Sequence, residues 1–191
     1  MSDEKVLKPS LSDLKKELKR ENSKKEYKKV LRNTLYVVVI VAALAVLVSS
    51  FFITVLRVTG DSMTPTLETG QIVVAQNSST FEPGELIAFY YNNKVLVKRV
   101  VGSPGDWINI DNDGNVSVNG ELLEEPYAEK SFDPTDITFP YQVPENRYFV
   151  LGDHRSASID SRSSVVGCVT KEQLIGKVVF RVFPFNVSGG L

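Results

Sequence analysis

The chain has 191 residues, with 22 Lys plus Arg against 23 Asp plus Glu and a formal charge of −1. Its single cysteine excludes an intramolecular disulfide, and its single histidine leaves no His/Cys cluster for a tetrahedral zinc site. Near-neutral charge also argues against a protein that holds nucleic acid on a basic surface, and no cofactor or metal is expected.

The charge is unevenly placed. Residues 1–34 carry 11 basic and 6 acidic side chains, a net +5, whereas residues 57–191 carry 11 and 17, a net −6. Between them, residues 35–56 form a run of 22 without a charge. As a helix this run would rise roughly 33 Å, enough to cross a hydrocarbon core of about 30 Å. Its β-branched residues are poor helix formers in water, but in lipid every backbone group must be bonded internally, which favours helix. A cleavable signal peptide would have a shorter apolar region followed by small residues; here Phe51-Phe52-Ile53 stand in that place. The run reads as a permanent anchor. The basic excess before it predicts a cytoplasmic leader (1–34), a transmembrane helix (35–56) and an outward-facing domain (57–191). Within the leader, Leu11, Leu14 and Leu18 among Lys15, Lys16 and Lys19 fit an amphipathic helix at anionic headgroups or a solvated tail equally well.

The outward region reads as β-rich. Residues 71–75, 86–91, 95–101, 107–110, 116–118, 147–151 and 177–183 are short runs of β-branched and aromatic residues. Turn signals separate them at Asn92-Asn93, Pro104-Gly105, Asp113-Gly114 and Asn119-Gly120. No helical pattern alternates with them, so a mainly β, antiparallel domain is predicted. Residues 121–144, acidic and Pro-rich, read as an inserted loop or small subdomain. Asp111-Asn112-Asp113-Gly114 lacks the full ligand series of a calcium loop and reads as a hairpin turn.

Three segments are chemically dense. Gly60-Asp61-Ser62-Met63-Thr64-Pro65-Thr66-Leu67 puts a serine shortly after the anchor, in a turn stiffened by Pro65. In Lys94-Val95-Leu96-Val97-Lys98-Arg99-Val100-Val101-Gly102, strand alternation places Lys98 on the face of Leu96 and Val100. A lysine desolvated by apolar neighbours loses pKa and supplies a neutral amine near pH 7; one that snorkels does not. Gly152-Asp153-His154-Arg155-Ser156-Ala157-Ser158-Ile159-Asp160-Ser161-Arg162 packs polar groups at a density that suggests a buried hydrogen-bond network.

Together these segments resemble the type I signal peptidases, membrane-anchored serine proteases with a Ser/Lys dyad. The likeness runs from the apolar span to about residue 183. It rests on Ser-Met-x-Pro-Thr-Leu at 62–67, Lys-Arg-Val-x-Gly-x-Pro-Gly-Asp at 98–106 and Gly-Asp-x-Arg-x-x-Ser-x-Asp-Ser-Arg at 152–162. It implies an antiparallel β-sheet catalytic domain of the signal peptidase and repressor-autoprotease type. By resemblance Ser62 is the nucleophile and Lys98 its general base. Ser158 matches the serine that orients the lysine amine, and Asp160 and Arg162 the supporting ion pair. Met63, Gly152 and Asp153 match structural positions. The implied substrates are exported preproteins cut after a small-x-small (Ala-x-Ala) motif at the outer face of a bacterial cell membrane, near the secretion translocase. Val58, Leu96 and Val97 are candidates to line shallow substrate pockets, or simply to fill the core. His154 stands where the family usually has Asn, and Gly60 where some members have a serine that helps bind the oxyanion. A sortase-like cysteine transpeptidase built on His154, Cys168 and Arg181 is disfavoured, because Val166-Gly167-Cys168-Val169 lacks that family's Thr-Leu-x-Thr-Cys signature. An anchored, non-catalytic binding module is the rival from another class.

Overall fold

A computed structural model describes residues 10–131 and 135–191. Residues 1–9 of the leader and 132–134 of the acidic segment lie outside the described residues. The chain forms two units, residues 1–49 and 50–191.

The first unit is one helix, α1 (Leu11–Ser49). Its portion Leu14–Ser49 is long and apolar enough to cross a membrane. The Lys-, Glu- and Leu-rich leader consists of good helix formers and continues the helix on its N-terminal side. At the other end the expected span is too long. The helix stops at Ser49, and the last four residues of the 35–56 run belong to a strand, β1 (Ile53–Arg57). Apolar composition alone does not separate the end of a helix from a β-branched strand; pairing with a partner does.

That partner is β2 (Ile72–Gln76), antiparallel, with Ile53 opposite Gln76 and Arg57 opposite Ile72. The other strands are β3 (Leu86–Tyr91), β4 (Lys94–Gly102), β5 (Trp107–Ile110), β6 (Val116–Val118), β7 (Glu121–Leu122), β8 (Tyr141–Gln142), β9 (Arg147–Leu151), β10 (Val169–Thr170), β11 (Leu174–Phe183) and β12 (Gly189–Gly190). The larger sheet runs β1-β2-β11-β3-β4-β9-β10, with β12 added to β11; the smaller runs β7-β6-β5-β8. Every strand pairing is antiparallel. The domain is mainly β, as its short β-branched runs predict.

Turn chemistry sets the hairpins. Asn92 at φ +51° opens the two-residue link from β3 to β4, and Asn119 (+53°) with Gly120 (+88°) makes the one from β6 to β7. Positive φ at such positions gives the turn the twist its strands need. Asp111 Oδ1 accepts the amides of Asp113 and Asn115, which closes the β5–β6 link as a side-chain-supported turn.

Three apolar clusters fill the domain. Val58, Met63, Leu67, Val73 and Ala75 pack in the first, beneath the serine-bearing turn. Val101, Ile108, Val143, Phe149 and Cys168 pack between the two sheets' segments, and Phe81, Ile87, Phe89, Val100 and Val150 form the third.

Candidate active site

The serine turn is held from below. Met63 and Leu67, four residues apart, are 2% and 0% exposed and plug the first core cluster. Their backbones are tied by the Leu67 amide donating to the Met63 carbonyl at 2.8 Å, and the Thr64 amide donates to Asp61 O at 3.1 Å. This leaves Ser62 half-buried at the surface of the turn. Among the described residues its own amide has no acceptor.

Lys98 approaches from β4, where it sits opposite Ile87 of β3. The side chain is 2% exposed, and its Nζ donates to Ser62 Oγ at 2.6 Å. Burial is the main reason its pKa falls from 10.5 to about 8. The Asp160 carboxylate pulls the value back up, Arg162 pushes it down again, and Asp153 raises it slightly. Of the two states that the apolar alternation leaves open, desolvated and snorkelling, the structure has the desolvated one.

The loop after β9 supplies the surroundings. Asp160 accepts from Ser158 Oγ at 2.7 Å and from the Gly152 amide at 3.0 Å, both on Oδ2. Arg162 grips the same carboxylate through Nε to Oδ1 at 2.9 Å and a terminal nitrogen to Oδ2 at 3.0 Å. That guanidinium also donates to the carbonyl oxygens of Arg155 (2.6 Å) and Ser158 (3.3 Å), so it pins the loop's backbone. Ser158 thus spends its hydroxyl proton on Asp160, and among the described residues it makes no hydrogen bond to Lys98. Gly152 lies where no side chain fits: a Cβ there would sit 2.2 Å from Ser158 Oγ and 2.5 Å from the Ser62 carbonyl oxygen. The His154 amide donates to that same Ser62 oxygen at 3.2 Å.

Beside Ser62 opens a small cleft of about 70 Å³. Val58, Leu96 and Val97 all line it, with Gly60 and Met63. One water occupies about 30 Å³ of liquid, so this space suits a methyl-sized side chain and not a long one. Val58 and Val97 also touch the first core cluster, so here wall and core are one.

Other neighbours complete the surroundings, of which Glu125 and Tyr127 carry no signal in the sequence. Arg99 clasps Asp153 with bonds of 2.9 and 2.6 Å, and Thr66 Oγ1 donates to the same carboxylate at 2.5 Å. The Tyr127 ring lies 3.9 Å beneath the Arg99 guanidinium, and its hydroxyl donates to Glu125 at 3.3 Å. Glu125, 5% exposed, forms a buried ion pair with Arg155, whose Nε donates to the Gly152 carbonyl at 3.0 Å. The acidic insertion is therefore bolted to the loop that carries Ser158 and Asp160. The cysteine rival fares badly: Cys168 is 5% exposed within the second core cluster, and burial raises its thiol pKa.

Residues 31–183 match the family described as signal peptidase, peptidase S26. The chain belongs to this family. It is 33% identical over 181 residues to "Signal peptidase I" of Bacillus amyloliquefaciens, covering 88% of this chain and 97% of the relative. It is 35% identical over 182 residues to "Signal peptidase I S" of Bacillus subtilis (strain 168), with the same coverage. With "Signal peptidase IB" of Staphylococcus aureus (strain COL) it shares 35% identity over 161 residues, 73% of this chain and 83% of that one. As a member of the S26 signal peptidases it is a serine endopeptidase, which removes the non-catalytic binding module from consideration.

Proposed function

We propose that this signal peptidase cleaves exported preproteins after a small-x-small motif through a Ser62/Lys98 dyad and an acyl-enzyme, at the outer face of a bacterial membrane. The observation that carries the reading is the 2.6 Å contact between a buried Lys98 amine and Ser62 Oγ. A serine hydroxyl is unreactive at its own pKa and needs an adjacent base. With a pKa of about 8, Lys98 is partly neutral at physiological pH, and in that form it accepts the Ser62 proton as Oγ attacks the scissile carbonyl. The protonated amine then delivers the proton to the departing mature chain. After release it takes a proton from a water that attacks the acyl-enzyme. The Ser62 amide, free of an internal acceptor, serves the oxyanion; Gly60 offers no hydroxyl for that purpose.

Ser158, Asp160 and Arg162 act on this dyad through position and charge. The Asp160 carboxylate limits how far the lysine pKa falls, and Arg162 and Ser158 fix Asp160. Shallow walls from Val58, Leu96 and Val97 favour Ala-like side chains at the cleavage site. The apolar part of the helix, from residue 35 to its end at Ser49, serves as the bilayer anchor, with the basic leader cytoplasmic and the catalytic domain outside, beside the translocase that delivers its substrates. Purified enzyme in detergent, tested on a preprotein, checks the dyad: Ser62→Ala and Lys98→Ala each abolish processing, while Cys168→Ala leaves it intact. Retained cleavage by Ser62→Ala would sink the proposal.

A further inference from the structure

On the far side of the serine turn lies a second, wider cleft of about 490 Å³. Asp61, which precedes the nucleophile, and Thr64 and Pro65, which follow it, form one wall; Tyr127, Glu129 and His154 contribute to the other. The two clefts share no lining residue, yet both are built on the backbone that bears Ser62. The His154 amide bond to the Ser62 carbonyl ties the wider cleft's floor directly to the nucleophile.

Size assigns the two sides of the scissile bond. The 70 Å³ cleft discriminates by volume and suits the small residue that becomes the acyl group. The 490 Å³ cleft is seven times roomier and has no power to reject a side chain for its bulk. What it offers is charge. Asp61 and Glu129 are exposed carboxylates, and His154 Nε2 lies 3.4 Å from Glu129 Oε2. Asp61 Oδ1 accepts from Thr69 Oγ1 at 3.0 Å, which leaves its negative charge uncompensated. Tyr127, with a pKa raised to about 12 by burial and by Glu125, adds an aromatic wall without charge. Among the described residues, no Lys or Arg lines this cleft.

We infer that this cleft receives the first residues of the released mature chain and that Asp61 and Glu129 favour basic over acidic residues there. The inference rests on Ser62 being the nucleophile. Two solvent-exposed carboxylates act weakly one at a time, so the expected discrimination between Lys and Glu is roughly fivefold in kcat/KM, not orders of magnitude. It also shrinks at high salt, as attractions between exposed charges do.

The experiment uses full-length enzyme in detergent and three preproteins. They share one signal peptide and one Ala-x-Ala site and differ only in the first two mature residues: Lys-Lys, Gln-Gln or Glu-Glu. The expected order of kcat/KM is Lys-Lys, then Gln-Gln, then Glu-Glu, compressed at 0.5 M salt. Glu129→Lys should erase or invert the order, and Glu129→Gln should narrow it; the conservative variant decides if the charge reversal does not fold. Equal rates on all three substrates, or an order that neither variant moves, overturns the subsite while the protease reading stands. Failure of the wild-type enzyme to process Gln-Gln, or processing that survives Ser62→Ala, overturns the underlying reading and the subsite with it.

Discussion

At the scale of single residues, the proposed mechanism turns on Lys98, a lysine held where a charge is costly. Lys98 has a folded pKa of about 8 against an ordinary 10.5, a difference equivalent to about 3 kcal/mol. Because the unfolded chain binds the proton more tightly, stability rises with pH between about 8 and 10.5, and below 8 the full cost is present. Lys98→Met therefore gains roughly 2 kcal/mol at pH 7 once the lost Ser62 hydrogen bond is deducted, and the gain fades towards pH 10.5. Chemical denaturation of the inactive variant at both pH values checks this. In the active enzyme, kcat/KM should climb through an acid limb near pH 8 and level off above it; a flat profile from 6 to 9 would contradict a lysine base. Ser62 and Lys98 stood out as candidates because each sits in a dense local pattern; the burial of Lys98 was not legible from its strand alone, whose apolar alternation fits a snorkelling lysine as well as a desolvated one. Glu125 and Tyr127 were not legible. They meet Arg155 and Arg99 only through tertiary folding, across 30 and 28 positions of chain, and nothing beside them in sequence marks the contact.

At the scale of elements, the loop from Gly152 to Arg162 works as a clamp whose tightness depends on one missing methyl group. Gly152→Ala would drive a Cβ into both the Ser158 hydroxyl and the Ser62 carbonyl. Neither neighbour can retreat freely: Ser158 is bonded to Asp160, and the Ser62 turn is anchored by Met63 and Leu67. Displacing a catalytic group by about 1 Å can cost 10²-fold, so Gly152→Ala should lose about that much kcat/KM. Its circular dichroism should remain that of a folded β-protein, and an active Gly152→Ala enzyme would show that the close approach is dispensable. Most strands were legible here, since runs such as 86–91 and 107–110 are punctuated by turn residues that fix their ends. The two-residue strands β7, β8, β10 and β12 were not, being too short to show any alternation. Strand β1 was hidden for a different reason: it continues an apolar run begun by the helix, and only its register with β2 tells the two apart.

At the scale of the whole molecule, the proposed topology can be tested through the chain's uneven charge. The proposed orientation rests on the basic residues near the span, 11 before it against Arg57 just after it, because such residues resist translocation. Replacing Lys24, Lys25, Lys28, Lys29 and Arg32 by Glu would reverse the sign of the leader's charge. The expected result is a substantial fraction of inverted molecules, read by the protection of the catalytic domain from added protease in intact cells. Unchanged accessibility would mean that something other than these charges orients the chain.

The curvature of the larger sheet sets the width of the narrow cleft beside Ser62. Residues 56–60, at the end of β1 and just beyond, face residues 95–97 of β4 across the narrow cleft, although β2, β11 and β3 separate those strands in sheet order. They meet because the sheet is strongly curved. Much of that curl comes from β11, whose pairing slips register twice against β2 and once against β3. One of these slips, against β3, falls at Gly176, where a Cβ would stand 2.1 Å from the Gln76 carbonyl. The strand contributes no side chain to the cleft, yet it works as the set-screw of a caliper. A bulge lost or gained in β11 would reset the gap between the jaws, and with it the largest side chain that the narrow cleft admits.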